Sequence, residues 1–339
     1  MSIQELETNA STLVAPGKGI LAADESFPTV AKRLASVGVQ TSEERRRTYR
    51  GMLFQTPGLG EHVSGMICYD ETVRQANAAG TPYPQAMREL GIIPGIKVDT
   101  GAKLLAGSDG EKVTEGLDGL RDRVKEYYEL GCRFAKWRAV IAIAHKKPTQ
   151  YCLDANAHAL ARYAKLCQEG GLVPIVEPEV MMDGAHDIDR CYDITSRALN
   201  TVFQALFDQG VHLEGMLLKP NMILSGKECE TQAGVAEVAE KTLKCLYRNV
   251  PAAVPGIVFL SGGQSNELAS AHLNAMNVGA THPWAVSFSY GRALQQSALT
   301  TWAGDDAKIP DAQAALLHRA ACNGAASLGN YDADKDAPK

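Results

Sequence analysis

Three pairs of ionisable residues stand two positions apart in the chain: Lys97 and Asp99, Lys136 and Arg138, Glu177 and Glu179. Each pair closes a short, otherwise apolar stretch. In an extended strand, residues i and i+2 share a face, so each pair projects to one side of whatever sheet carries it. Further stretches of the same kind end in Asp24 and Glu25, Asp70 and Glu71, Lys219, Ser261 and Arg292. An ion-pair network could account for any one of these groups. Three such pairs with a lone lysine exceed what core packing requires, and they predict a shared reactive mouth.

Lys219 follows Met216-Leu217-Leu218 and precedes Pro220. An amine in apolar surroundings loses hydration, which disfavours its charged form, and a second cation such as Lys136 across the mouth acts the same way. A neutral amine attacks carbonyls and forms a Schiff base. The alternative is a lysine whose head reaches solvent from the strand end, and strand parity alone does not choose between the two. Imine formation needs a proton donor for departing water, and cleavage beside an iminium needs a base. Glu177 and Asp24 suit those tasks. Glu179 suits the orientation of lysine amines, while Glu25, Asp70 and Glu71 read more simply as solvated rim carboxylates.

An anion site is expected further along. Ser261-Gly262-Gly263 ends one apolar stretch, and small residues there expose backbone N–H groups. Tyr290-Gly291-Arg292 ends the next stretch and opens a helix, and an arginine can hold a phosphate through two N–H groups.

Eight strand-length apolar stretches carry these residues: 19–25, 63–70, 93–100, 134–143, 172–180, 215–220, 256–263 and 283–291. Most are apolar through their first half without alternation, the pattern of parallel strands buried on both faces. Helical patterns over 155–169, 189–209, 233–248 and 266–277 separate the later ones, and Gly or Pro stands at or just beyond their ends. A leading helix precedes Gly17, and a C-terminal helix is expected near 311–328. Such alternation predicts an α/β fold, a (β/α)8 TIM barrel. A doubly wound open sheet would normally show G-x-G-x-x-G after its first strand, and none occurs here. Residues 1–339 read as one barrel domain, with 332–339 as a loose polar tail. In such barrels the reactive groups gather at the C-terminal ends of the strands, with phosphate commonly held after strands seven and eight.

Charge and composition remove other classes. The net charge of −5 argues against nucleic acid or an anionic membrane as partner. No apolar run approaches the ~18 residues of a membrane-spanning helix, and the N-terminus has no basic stretch followed by an apolar one. The eight cysteines form no C-x-x-C pair and read as reduced, buried small hydrophobes, which suits the cytoplasm. The eight histidines show neither H-x-x-x-H nor H-E-x-x-H spacing, so neither a metal nor another cofactor is expected.

The chain resembles the class I fructose-bisphosphate aldolases, the metal-free, Schiff-base type. The matching segments run in family order along nearly the whole chain: APGKGILAADES at 15–26, GIKVD at 95–99, FAKWR at 134–138, VPIVEPE at 173–179, LLKPN at 217–221, FLSGGQ at 259–264 and FSYGRA at 288–293. The resemblance implies reversible cleavage of fructose 1,6-bisphosphate to dihydroxyacetone phosphate and glyceraldehyde 3-phosphate. It places the reaction in glycolysis, gluconeogenesis or the Calvin cycle, with sedoheptulose 1,7-bisphosphate as a second substrate. It implies that Lys219 forms the Schiff base, that Glu177 is the acid/base for the imine, and that Asp24 takes the C4 hydroxyl proton. Lys136 and Glu179 would tune and orient Lys219. Ser261, Gly262, Gly263 and Arg292 would hold the C1 phosphate, and Lys97, Arg138, Ser26 and Arg33 the second phosphate. A homotetramer is implied as well. Phe27-Pro28-Thr29 replaces the Thr-Gly-Ser usual in animal members, and Thr100 stands where a lysine is common. The chain stops at Lys339 without the terminal tyrosine of many eukaryotic members, so protonation of the enamine has no evident partner from the tail. A transaldolase-like transferase and a non-catalytic scaffold are the rival readings, and the cations at 97, 138 and 33 disfavour the transferase, which needs a single phosphate grip.

Overall fold

The computed structural model describes residues 2–336. Eight parallel strands close into a barrel: β1 (Gly19–Ala23), β2 (Val63–Cys68), β3 (Ile93–Lys97), β6 (Phe134–Ile141), β7 (Val173–Val180), β8 (Leu217–Leu218), β9 (Gly256–Phe259) and β10 (Ala285–Tyr290). Closure pairs β1 with β10, Ile20 lying against Ser289 and Leu21 against Tyr290. All eight expected strands are present, and the closed ring excludes the open-sheet alternative. Between β3 and β6 an antiparallel hairpin, β4 (Gly101–Leu104) with β5 (Lys112–Glu115), was not anticipated. Its strands are four residues long and largely exposed, so they leave no apolar stretch to detect.

Alternation along the strands divides the core in two. Ile20, Ala22, Ile67, Phe134, Val173, Ile175, Leu217 and Val258 point into the barrel, while residues such as Leu21, Met66, Trp137, Val176 and Phe259 face the surrounding helices. The lower interior is sealed by the leading helix α1 (Ile3–Leu13), whose Leu6, Ala10 and Leu13 share one face and join the interior cluster. Ser2 caps it by accepting a hydrogen bond from the Glu5 amide. The Phe134 ring crosses the interior at one level. A Cβ on Gly95 would stand 2.2 Å from that ring, so only a residue without a side chain fits there.

The remaining helices are α2 (Phe27–Ala35), α3 (Glu43–Phe54), α4 (Asp70–Val73), α5 (Tyr83–Glu89), α6 (Leu120–Glu129), α7 (Gln150–Glu169), α8 (Ile188–Asp208), α9 (Val235–Asn249), α10 (Asn266–Asn277), α11 (Arg292–Trp302) and α12 (Ile309–Ser327). Helix α7 begins five residues before the expected 155 because Thr149 caps it at the Cys152 amide. Asp187 and Ser265 cap α8 and α10 in the same way. Among the described residues no helix is long and apolar enough to cross a membrane. All eight cysteines are free; six are buried as expected, whereas Cys229 and Cys322 are only partly covered.

Of the loose polar tail expected over 332–339, residues 332–335 are exposed, whereas Asp336 turns inward; residues 337–339 lie outside the described residues. Asp336 is 5% exposed. It pairs with the buried Arg319, accepts from Tyr331 Oη at 2.6 Å and lies 3.2 Å from His318 Nε2. Arg319 in turn donates to Asn266 O at 2.9 Å and to Ser270 Oγ at 2.7 Å, tying the chain end to the start of α10. A buried guanidinium needs a counter-charge, and a polar sequence of eight residues does not reveal that one of its carboxylates supplies it. The fold also brings His318, Cys322 and Asp336 within 4.8 Å of one another. Arg319 occupies that carboxylate, so the cluster reads as a latch. Replacing Asp336 by Asn should cost about 3–5 kcal/mol, because an unmatched buried charge remains. Arg319 and the other partners hold the Asp336 carboxyl below its ordinary value despite its burial. The loss should therefore be full at neutral pH and smaller at pH 3, below the ordinary carboxyl value, read by urea denaturation at the two pH values.

Candidate active site

A cavity of about 680 Å³ opens at the C-terminal mouth of the barrel. Every site residue expected from the sequence lines it: Asp24, Ser26, Arg33, Lys97, Lys136, Arg138, Glu177, Glu179, Lys219, Ser261, Gly262, Gly263 and Arg292. Asp99, Glu25 and Asp70 line it too, and Glu71 does not.

At its floor lie four ionisable groups, three of them buried and Asp24 nearly so. Lys219 is 3% exposed, and its Nζ stands 3.3 Å from Glu177 Oε1. Lys136 Nζ stands 2.6 Å from Asp24 Oδ2 and 3.3 Å from Glu177 Oε2. Two lysine side chains thus alternate with two carboxylates at the ends of β1, β6, β7 and β8. Burial alone would raise the Asp24 carboxyl, but Lys136, Lys219 and Lys97 outweigh it and hold it at about 2. Burial likewise opposes the charge on Glu177, and Lys136, Lys219 and Arg138 hold that carboxyl below its ordinary range. Lys136 is raised, since Asp24, Glu177 and Asp99 overcome its desolvation. Lys136 is thereby committed to the ammonium form, with a carboxylate on either side.

Register explains why Lys219 meets Glu177. Leu217 pairs with Ile175 and Leu218 with Val176, and the Lys219 amide donates to Val176 O at 2.8 Å. Lys219 is therefore level with Glu177. Glu179 stands two residues higher, about 6.6 Å along the strand. Glu179, expected to orient Lys219, has Arg138 as its partner here: its carboxylate accepts from Arg138 Nε. Glu25 and Glu71 are not solvated rim groups, because Glu25 binds Arg33 at 2.5 Å while Glu71 binds Arg46 and Arg50. Asp70 is held by Arg74 and by the Tyr127 hydroxyl.

Of the cations above the floor, Lys97, Arg138 and Arg33 each carry a carboxylate partner, respectively Asp99 at 2.6 Å, Glu179 and Glu25. Arg33 Nη2 also lies 3.5 Å from where a Cβ on Gly291 would stand, beside Arg292. Ser26 stands beside Thr29, the two hydroxyl oxygens 3.2 Å apart at the start of α2. A further cation stands at Ser261-Gly262-Gly263. Gly262 and Gly263 take φ of +59° and +88°, a left-handed run that suits glycine and turns successive N–H groups to one side. Gln264 pins the turn: its side-chain amide donates to Ser261 O at 3.0 Å, and its Oε1 lies 2.5 Å from His272 Nδ1. Arg292 opens α11 and reaches the same place, its Nη2 lying 2.9 Å from where a Cβ on Gly263 would stand. Among the described residues Arg292 makes no ion pair.

Sequence reasoning missed Ser289 and Lys227, which line the same cavity. Ser289 is 1% exposed on the inner face of β10, and its Oγ has no protein partner. The inward parity of β10, with Ser287 and Ser289 in place of aliphatic residues, was the available signal.

The geometry describes a barrel with a buried amine, matched carboxylates and several cations around one mouth, the equipment of Schiff-base chemistry on a phosphorylated substrate. A family model for fructose-bisphosphate aldolase class-I matches residues 5–339. The chain is 57% identical over 332 residues to a probable fructose-bisphosphate aldolase class 1 of Xanthomonas axonopodis pv. citri, covering 98% of this chain and 99% of that protein. It is 53% identical to cytosolic fructose-bisphosphate aldolase 6 of Arabidopsis thaliana, covering 97% and 92%. Its fold is similar to that of a fructose-bisphosphate aldolase from Plasmodium falciparum, solved in complex with TRAP and a small-molecule inhibitor, with TM-score 0.96, 50% identity and coverage of 97% and 95%. The chain belongs to the class I fructose-bisphosphate aldolase family.

Proposed function

We propose that this chain cleaves fructose 1,6-bisphosphate reversibly to dihydroxyacetone phosphate and glyceraldehyde 3-phosphate through an imine on Lys219. The observation that carries the reading is the buried Lys219 amine 3.3 Å from Glu177, with Lys136 and Asp24 completing the charge balance. Lys219 gives up a proton, for which Glu177 Oε1 is placed, and its lone pair adds to the ketose C2. One proton of the adduct nitrogen passes to the C2 oxygen, Glu177 returns its proton to the same oxygen, water leaves, and a protonated imine results. Asp24 takes the C4 hydroxyl proton. The C3–C4 electron pair moves toward the iminium nitrogen, the aldehyde departs, and an enamine remains. Protonation at C3 and hydrolysis release the second triose. Lys136 keeps Asp24 and Glu177 ionised between these steps.

The turn at Ser261–Gly263 with Arg292 holds the phosphate on C1. Lys97, Arg138, Arg33 and Ser26 receive the other phosphate, their carboxylate partners yielding to the incoming dianion. Several cations around the mouth support a bisphosphate over a ketose monophosphate, and they admit sedoheptulose 1,7-bisphosphate as a longer substrate. The chain acts in glycolysis or gluconeogenesis, in the cytoplasm, as a homotetramer.

Borohydride added with dihydroxyacetone phosphate and a strong chelator should tether one triose phosphate to Lys219, read by peptide mass spectrometry. An adduct on another lysine, or none, would refute the assignment.

A further inference from the structure

Lys227 lies on the loop after β8, eight residues beyond Lys219, and no role described so far uses it. Its backbone position is set by the loop after β7. The Gly226 amide donates to His186 O at 2.8 Å, the Lys227 amide to Met182 O at 2.8 Å and the Glu228 amide to Gly184 O at 3.0 Å. The two loops approach so closely that a Cβ on Gly226 would stand 2.1 Å from Gly184 O. Lys227 is therefore rooted at the rim of the mouth on a fixed backbone.

The side chain extends over the phosphate turn. A Cβ built on Gly263 would be 3.4 Å from Lys227 Nζ and 2.9 Å from Arg292 Nη2. Both cations flank one point, and the sum of those distances, 6.3 Å, bounds their separation. Two charge-assisted contacts to a single phosphate place their nitrogens roughly 5–8 Å apart. Both nitrogens are thus close enough together to reach one dianion. The Lys227 amine rests on Asp183 Oδ1 at 2.9 Å, and both side chains are about half exposed. An exposed pair of this kind contributes little to stability, so it is a weak tether that a phosphate can displace.

We propose that Lys227 is a further substrate-binding residue, whose ammonium moves from Asp183 to join Arg292 on the phosphate held by the Ser261–Gly263 turn. This rests on the aldolase reading above and names a residue of its C1-phosphate grip. With it the grip draws on three loops, those after β8, β9 and β10. Lys227 and Lys219 share the loop after β8, so the phosphate contact and the reacting amine are carried by one short segment.

The test uses Lys227→Gln and Lys227→Arg in the full chain. Lys227→Gln should raise KM for both fructose 1,6-bisphosphate and fructose 1-phosphate about 5- to 20-fold, with kcat within about twofold of the parent. Lys227→Arg should restore KM to within about twofold, and neither variant should shift Tm by more than about 2 °C. A KM for Lys227→Gln within twofold of the parent, or a loss of kcat at unchanged KM, overturns the proposal. Borohydride trapping on the same proteins separates the two levels of the argument. If the parent traps dihydroxyacetone phosphate on Lys219 and Lys227→Gln traps it with the same half-saturating concentration, Lys227 alone is wrongly assigned. If the parent traps nothing on Lys219, the Schiff-base reading itself is lost, and this proposal with it.

Discussion

Lys219→Met should lower kcat by about 10⁴- to 10⁶-fold, the scale seen when a nucleophile that works as part of a unit is removed. The variant should still fold. Methionine fills the volume of a 3%-exposed lysine, and Glu177 keeps Lys136 as its charge partner at 3.3 Å. Thermal unfolding should therefore stay cooperative while turnover disappears and borohydride trapping yields no adduct. Residual activity within 100-fold of the parent would sink the covalent route, because no other described lysine stands at the cavity floor without a second carboxylate: Lys136 is held between Asp24 and Glu177.

The second large effect belongs to Lys136, which we expect to act by holding two carboxylates ionised. In Lys136→Met, Asp24 and Glu177 lose their strongest cationic neighbour and keep their burial and their mutual repulsion. Their carboxyl groups should therefore rise from the depressed values they now have, Asp24 from about 2. kcat should fall about 10²- to 10⁴-fold, the usual worth of acid–base participation. The acid limb of kcat/KM should move upward by at least about one pH unit. Stability follows the same sign. A carboxylate whose native value is depressed stabilises the fold above its unfolded value, near ~4, and that contribution is lost as pH falls through the native value. The stability difference between parent and variant should be widest near neutrality, about 3–5 kcal/mol for an uncompensated buried charge, and should shrink below about pH 3. A variant with an unmoved acid limb and a uniform stability loss would show that Lys136 merely fills space.

Much of the mouth was legible in one dimension. The parity of Lys97 with Asp99, Lys136 with Arg138 and Glu177 with Glu179 follows from strand geometry, and in the structure all six line one cavity. Parity says which side chains share a face and nothing about which partner each finds across the barrel. Glu179 illustrates the gap: on its own strand it is the equal of Glu177, yet inter-strand register sets it above Lys219 and beside Arg138. Lys136 was expected chiefly as a cation acting on Lys219, and its contact with Asp24 depends on β1 and β6 facing each other across the interior. Lys227 and the Asp336–Arg319 pair gave no local signal at all, since a lysine in a polar loop and an aspartate near a chain end are ordinary in sequence.

The eight apolar stretches, their parallel character and the charged tips were thus readable from residue order, because burial on both faces and the two-residue period act within a single strand. Pairings between groups distant in sequence were settled only by closure of the barrel, which joins β1 to β10 and sets four floor charges within hydrogen-bonding reach of their neighbours. The physical reason is range. Backbone geometry and hydrophobic patterning operate over a few residues, whereas Coulomb attraction and desolvation depend on distances that exist only once the chain has folded.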